Sequence, residues 1–349
     1  MLHIFLKSVK TSNAEVSPSI FIGMTSDTNP VLHPDRNLAM ELVRATEAAA
    51  IRAYPFIGHG DKNAADGAAV DAMRAFLGTV NFEGLVVIGE GEKDEAPMLF
   101  NGEKVGTGLG PKVDIAVDPI DGTSLTAAGR QNAISVIAVA DRGSMLDASA
   151  VFKMNKLVAG PAGVGVIDIR QPIGENIREY AKAANKPVGE VVVAVLDRDY
   201  NGELIDDIRA AGAGTRLLRD GDVAAGILAA RPTSRVDICA GVGGSPEGIV
   251  TACGIRALGG TIQGILHPLT EIERTTGLEA GLIFDHVYEM DDMVSSDNTF
   301  FVATGVTDGA LMSGVRKKGD LITTESLVIR GRSGTYRTVH AEYQASRWI

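Results

Sequence analysis

Four short stretches of this chain set carboxylates beside glycine, proline and hydroxyl residues, the types that hold a cation against a phosphate. DPIDGT (118–123) places Asp118 and Asp121 three residues apart around Pro119. Proline fixes φ, so both carboxylates can converge on one ion. Gly122 allows close backbone approach to an oxyanion, and Thr123 brings a hydroxyl to the expected start of a helix. The same string also reads as an Asx turn followed by a helix cap. GEGEKDEAP (89–97) gathers Glu90, Glu92, Asp94 and Glu95, with Lys93 offsetting one charge. Such carboxylates repel one another unless solvent or cations compensate them, so the loop is either a solvated acidic turn or a cation site. Its place at a strand end, like that of DPIDGT, suggests that both open on one crevice.

DKNAADG (61–67) offers Asp66 as a metal ligand or a helix cap, and Lys62 as a cation near substrate or metal-bound water. GVGGSPEG (241–248) supplies Ser245 and Pro246 as N-cap and N1 residues. Glu247 then falls in the first helical turn, where the dipole favours a carboxylate in any case. The glycines before it would let backbone N–H groups meet a phosphate. Pro246 stands where a dinucleotide fingerprint needs glycine, which excludes that reading. Among six histidines and two cysteines no His-x-His or Cys-x-x-Cys spacing occurs, which argues against zinc. Oxygen ligands alone point to hard cations, Mg²⁺ or Mn²⁺.

The elements that must position these groups are legible from periodicity. A helix is expected over 35–54, with Leu38, Leu42, Ala45 and Ala49 at helical spacing and Asp35 or Asn37 as cap. A loop over 58–67 leads to a second helix through Val70, Met73 and Leu77. Strands are expected over 85–88, 113–117, 134–140 and 150–159. Strands at 191–196, 215–218 and 236–240 then alternate with helices at 176–185, 203–212, from Asp222 and from Pro246. Strands 323–330 and 335–342 are placed to return to the first region. This divides the chain into an extension (1–33), a metal-binding α+β domain (34–172 with 320–349) and an α/β substrate-binding domain (173–319). Met24 reads as a candidate natural start, with 1–23 dispensable.

With 349 residues, 45% of them hydrophobic, the chain can bury a large core. The net charge of −11 makes nucleic acid an unfavourable partner. No apolar run approaches the roughly 18 residues a membrane span needs. Cys239 and Cys253 read as small core residues in a reducing cytoplasm.

DKNAADGAAVDAMR, VVIGEGEKDEAPML, VDIAVDPIDGT, DGDVAA and GGSPEG, in this order, closely resemble the bacterial class II fructose-1,6-bisphosphatases of the lithium-sensitive phosphatase superfamily. The resemblance implies a layered α-β-α-β-α sandwich of mixed α and β structure and a homodimer or homotetramer. It implies Asp66 and Glu90 as ligands of one divalent ion, and Asp118, Asp121 and Glu247 as ligands of another. Thr123 resembles the residue that positions the attacking water, with Asp94 as its acidic partner and Lys62 beside the phosphate. Asp121, Gly122, Thr123, Asp220, Gly221, Asp222 and Gly244 resemble substrate-binding positions. The implied reaction is gluconeogenic removal of the 1-phosphate from fructose 1,6-bisphosphate.

The pattern departs from the family at a few positions. Asp199, Tyr200 and Asn201 replace a usual Pro-Arg-His, Lys153 replaces a substrate-binding tyrosine, and His59 replaces a frequent arginine. Arg198 is the candidate to supply the missing phosphate contact. Sedoheptulose 1,7-bisphosphate therefore stays open as substrate, as do inositol-phosphate or phosphoadenosine phosphatase activity. A sugar-phosphate-binding regulator without catalysis is favoured only by the altered 199–201 segment.

Overall fold

The computed structural model describes residues 38–91 and 98–348. The expected extension 1–33, the Met24 start, the caps Asp35 and Asn37, and Glu92, Asp94 and Glu95 lie outside them. The chain opens with helices α1 (Leu38–Ala53) and α2 (Lys62–Leu77). Strands β1 (Glu83–Ile88), β2 (Lys104–Val105) and β3 (Lys112–Asp121) follow, then the short α3 (Thr123–Ala127) and β4 (Ile134–Asp141). Next come β5 (Lys153–Ala159), α4 (Ile173–Ala183), β6 (Val192–Leu196), α5 (Gly202–Ala210), β7 (Gly214–Leu218) and α6 (Val223–Ala229). β8 (Ile238–Gly244), α7 (Ser245–Ala257), β9 (Thr261–Leu266), α8 (Glu271–Glu279) and α9 (Met290–Met293) continue. The last strands are β10 (Phe300–Gly305), β11 (Arg316–Lys318), β12 (Leu321–Arg330) and β13 (Thr335–Gln344). None of the described helices is long and apolar enough to cross a membrane.

Two mixed sheets organise these elements. The first runs β11-β12-β10-β4-β3-β1-β2, with β13 paired to β12, and the second runs β7-β6-β8-β5-β9. Sheet membership crosses the boundaries drawn at 172 and 319: β5 lies in the second sheet, and β10 and β11 lie in the first.

Strand alternation explains the layering, because successive side chains point to opposite faces. In β4, Ile137 and Val139 join a core with α1 and α2, whereas Val136, Ala138 and Ala140 join a second core with α6 and α7. In β6, Ala194 faces that second core while Val193 and Val195 pack with α4 and α5. The order of layers is therefore α1/α2, first sheet, α6/α7, second sheet, α4/α5, the expected α-β-α-β-α sandwich. Helix α7 is apolar on nearly all sides because it lies between two sheets. Cys239 and Cys253 are buried there as free thiols, in agreement with a core role.

Two local expectations need correction. Helix α2 begins at Lys62, because Asp61 accepts the Ala64 N–H at 2.9 Å and caps it. Asp66 therefore lies inside the helix and does not cap it. The strand expected over 236–240 instead runs through GVGG (241–244) as β8, paired with β5 as far as Lys153 opposite Gly244. Gly244 takes the N-cap position, so the helix opens at Ser245, one residue earlier than expected, with Pro246 in its second position.

A buried polar clamp ties α1 to the far strands of the first sheet. Glu47 accepts hydrogen bonds from Thr324 Oγ1 at 2.8 Å and from the Tyr343 hydroxyl. Beside it, Thr46, Thr304 and Ser326 form a hydroxyl ladder with spacings of 2.7 and 2.8 Å. Glu47→Ala strands the Thr324 hydroxyl without its acceptor. Urea denaturation should show a loss of about 1–3 kcal/mol; an unchanged midpoint would remove the clamp from the account.

Candidate active site

The C-terminal ends of β1 and β3, which run parallel, deliver acidic residues to one edge of the first sheet. Glu90 follows β1, its N–H held by the Leu99 carbonyl at 2.9 Å. Asp118 and Asp121 flank a break in the β3–β4 register, where Pro119 and Ile120 bulge out of the ladder. Gly122 then adopts φ +96° and starts α3 at Thr123. Asp66 arrives from α2 and Glu247 from the first turn of α7. These five acidic side chains, from four separate stretches of sequence, line one cavity of about 440 Å³.

Glycines make room for the charges. A Cβ on Gly221, which has φ +66°, would lie 3.0 Å from Asp121 Oδ1, and one on Gly244 would overlap the Glu247 carboxylate. The glycines expected to receive a phosphate thus border carboxylates as well.

Crowding leaves a clear electrostatic mark. Burial raises Asp118 well above the usual carboxylate range, and Asp121, Glu90, Glu247 and Asp66 raise it further. Asp121 is raised by burial and then by Asp222, Glu247 and Asp220, with Lys156 opposing. Glu90 is pushed up to about 8 by burial, Asp66 and Glu247. Burial also raises Asp66, and raises Glu247 against the pull of Lys156.

The donor set fits a hard divalent cation. Asp118, Asp121 and Glu247 each offer an oxygen within 4.8 Å of the others. Asp121 Oδ2 and Glu247 Oε2 are buried with no hydrogen-bond partner, so each has capacity for a ligand bond. Asp66 and Glu90 stand on the same wall.

The other expected site residues divide. Thr123, Gly122, Lys153, Arg198, Asp220, Gly221, Asp222 and Gly244 all border the cavity. Asp220 spans its two sides: it accepts from Ser124 Oγ at 2.5 Å and pairs with Arg198 Nη2 at 3.3 Å. Lys62, at the start of α2, is exposed and is not part of the cavity wall. Asp94 lies outside the described residues. In the altered 199–201 segment, Asn201 donates to the Leu196 and Val242 carbonyls at 3.0 and 3.1 Å and accepts from Val242 N at 2.9 Å. It is a structural pin between β6 and β8, while Tyr200 borders the cavity.

Sequence reasoning missed Ser124, Phe152 and Lys156. Only Lys156 carried a signal. It shares a strand face with Met154 and Val158, and a charge at a core-facing position needs a partner.

The model of the bacterial, glpX-encoded fructose-1,6-bisphosphatases matches residues 36–343. The chain belongs to this family. It is 45% identical over 329 residues to fructose-1,6-bisphosphatase 1 class 2 of Escherichia coli K12, covering 89% of this chain and 96% of that protein. The class 2 fructose-1,6-bisphosphatase of Shigella flexneri shows the same identity and coverage. A solved extragenic suppressor from Pyrococcus furiosus aligns with a TM-score of 0.26 and 15% identity over 56% of this chain and 69% of that one, too slight a likeness to bear on fold or function. Family membership makes the chain a phosphoric monoester hydrolase, and with the acidic cluster it points to a divalent metal.

Raised carboxylate pKa values predict a pH dependence. A group whose folded pKa exceeds its unfolded value stabilises the protein below the unfolded pKa and loses that contribution as pH rises through the folded one. For Glu90 the window runs from the ordinary carboxylate range, near 4.5, to about 8. Metal-stripped protein should therefore lose melting temperature across this window, and a divalent cation should restore more at pH 8 than at pH 5. A metal-induced shift independent of pH would contradict this electrostatic picture.

Proposed function

We propose that this protein hydrolyses the 1-phosphate of fructose 1,6-bisphosphate to fructose 6-phosphate and phosphate, with Mg²⁺ or Mn²⁺ as cofactor. The observation that carries the reading is the gathering of Asp66, Glu90, Asp118, Asp121 and Glu247 on one cavity, with acceptor oxygens left unpaired. Zinc would favour nitrogen or sulfur donors, which this wall does not offer among the described residues.

Asp66 and Glu90 hold one cation in this reading, and Asp118, Asp121 and Glu247 hold another. The bound cations supply polarisation of the phosphoryl oxygens and a lowered pKa for water. The chain's own contribution is placement. Gly122, in its left-handed conformation, turns the backbone so that Thr123 begins α3 at the cavity edge. Its hydroxyl aligns water for in-line attack, with Asp94 as the acidic partner that the family resemblance implies; Lys62, outside the cavity wall, takes no direct part. Asp220, Gly221, Asp222 and Gly244 hold the sugar.

Arg198 and Lys153 place positive charge at the mouth for the second phosphate. Most of the metal-holding carboxylates come from the first sheet and α2, and Glu247 joins them from α7 after the second sheet. The family resemblance supports a homodimer or homotetramer, and the two buried free cysteines are compatible with a cytoplasmic setting.

Phosphate release decides the substrate. Fructose 1,6-bisphosphate, sedoheptulose 1,7-bisphosphate, an inositol monophosphate and a phosphoadenosine nucleotide are compared with Mg²⁺, with Mn²⁺ and with EDTA. Fructose 1,6-bisphosphate should be hydrolysed fastest, and EDTA should abolish turnover. Activity insensitive to the chelator would sink the metal role. Thr123→Ala should lower kcat about a hundredfold or more with an unchanged melting temperature, and near-normal kcat would remove Thr123 from the chemistry.

A further inference from the structure

Lys156 is enclosed between the sheets, 5% exposed. Its Nζ lies 2.6 Å from Asp222 Oδ2 and donates to the Gly244 carbonyl at 2.9 Å. Two glycines shape its slot. A Cβ on Gly248 would lie 3.2 Å from Lys156 Cδ, and one on Gly243 would lie 3.0 Å from Nζ and overlap Asp222 Oδ2. Lys156 does not itself border the cavity, whereas Asp222 and Gly244 both do.

Asp222 is 8% exposed, and its second oxygen, Oδ1, is buried with no partner. A buried ion pair is weak evidence for stability, because an apolar pair of similar volume often serves as well. Orientation is the more specific consequence. The ammonium ties back one carboxylate oxygen and leaves the other as an acceptor with nothing to accept. A carboxylate without that tie could rotate, and rotation would spoil a fixed acceptor.

We propose that Lys156 is a positioning residue for substrate recognition, clamping Asp222 so that Oδ1 accepts a hydrogen bond from a sugar hydroxyl in the cavity. The inference rests on the cavity being a sugar-phosphate site. In this role Lys156 acts through Asp222, and it does not itself border the cavity.

A double-mutant cycle tests this on the full-length, metal-saturated enzyme with fructose 1,6-bisphosphate. Fructose 6-phosphate binding, measured by calorimetry, gives a readout independent of turnover. K156Q and D222N should each raise KM and the fructose 6-phosphate Kd about tenfold, with kcat changed less than threefold. The double variant should stay within twofold of D222N alone, because coupled residues are not additive. Multiplied effects, approaching a hundredfold, would overturn the proposal, as would a folded K156Q with wild-type KM and Kd. An effect of Lys156 on the metal ligands would persist in the D222N background and so would also count against it.

If K156Q gives no cooperative melt, K156M/D222N carries a neutral pair in the same slot and is compared with D222N. Agreement within twofold supports the clamp, and a further tenfold rise overturns it. Wild-type protein that neither hydrolyses fructose 1,6-bisphosphate nor binds fructose 6-phosphate would instead refute the sugar-phosphate reading itself.

Discussion

Like charge held out of water is the constraint on which this structure turns. Asp118 and Asp121 lie in a bulge at the end of β3, with Glu247 within reach and with Glu90 and Asp66 on the same wall. Burial and mutual repulsion both penalise their ionised forms. A cluster of this kind persists because the surrounding fold is stable enough to impose it, and because cations relieve it.

The scaffold meets that cost through elements that are buried on both faces. Helix α7 carries Glu247 in its first turn, and the rest of it is packed between two sheets. β3 carries Asp118 and Asp121, and its length is covered by α1 and α2 on one side and α7 on the other. Side chains on such elements have few alternative positions, so repulsion does not simply push them apart. Glycines at 221 and 244 remove the Cβ atoms that would otherwise compete for the same space.

Floor and mouth of the cavity differ in kind. The floor is carboxylate, with Lys156 behind it as a fixed internal cation. At the mouth Arg198 pairs with Asp220, and Lys153, Phe152 and Tyr200 stand open to solvent or nearly so. Exposed side chains at a rim can change without disturbing the packing beneath. On the proposed reading, Arg198, Tyr200 and Lys153 at the rim would bear on which sugar phosphate enters, while the acidic floor would hold the cation. Asn201 is the exception in that segment, since its side chain is committed to backbone groups of β6 and β8.

By itself the sequence determined the local chemistry and most of the elements. DPIDGT, GEGE and GGSPEG showed their carboxylates, and periodicity located the strands and helices, because both depend on near neighbours in the chain. The order of the motifs was enough to reveal the family. Tertiary structure alone decided three other things. It showed that Asp66, Glu90, Asp118, Asp121 and Glu247 share a cavity, since pairing of distant strands brings them together. It carried the strand expected over 236–240 on through GVGG to Gly244, because β5 pairs with it residue for residue. It also joined Lys156 to Asp222, 66 positions later, through an ion pair that no local pattern encodes.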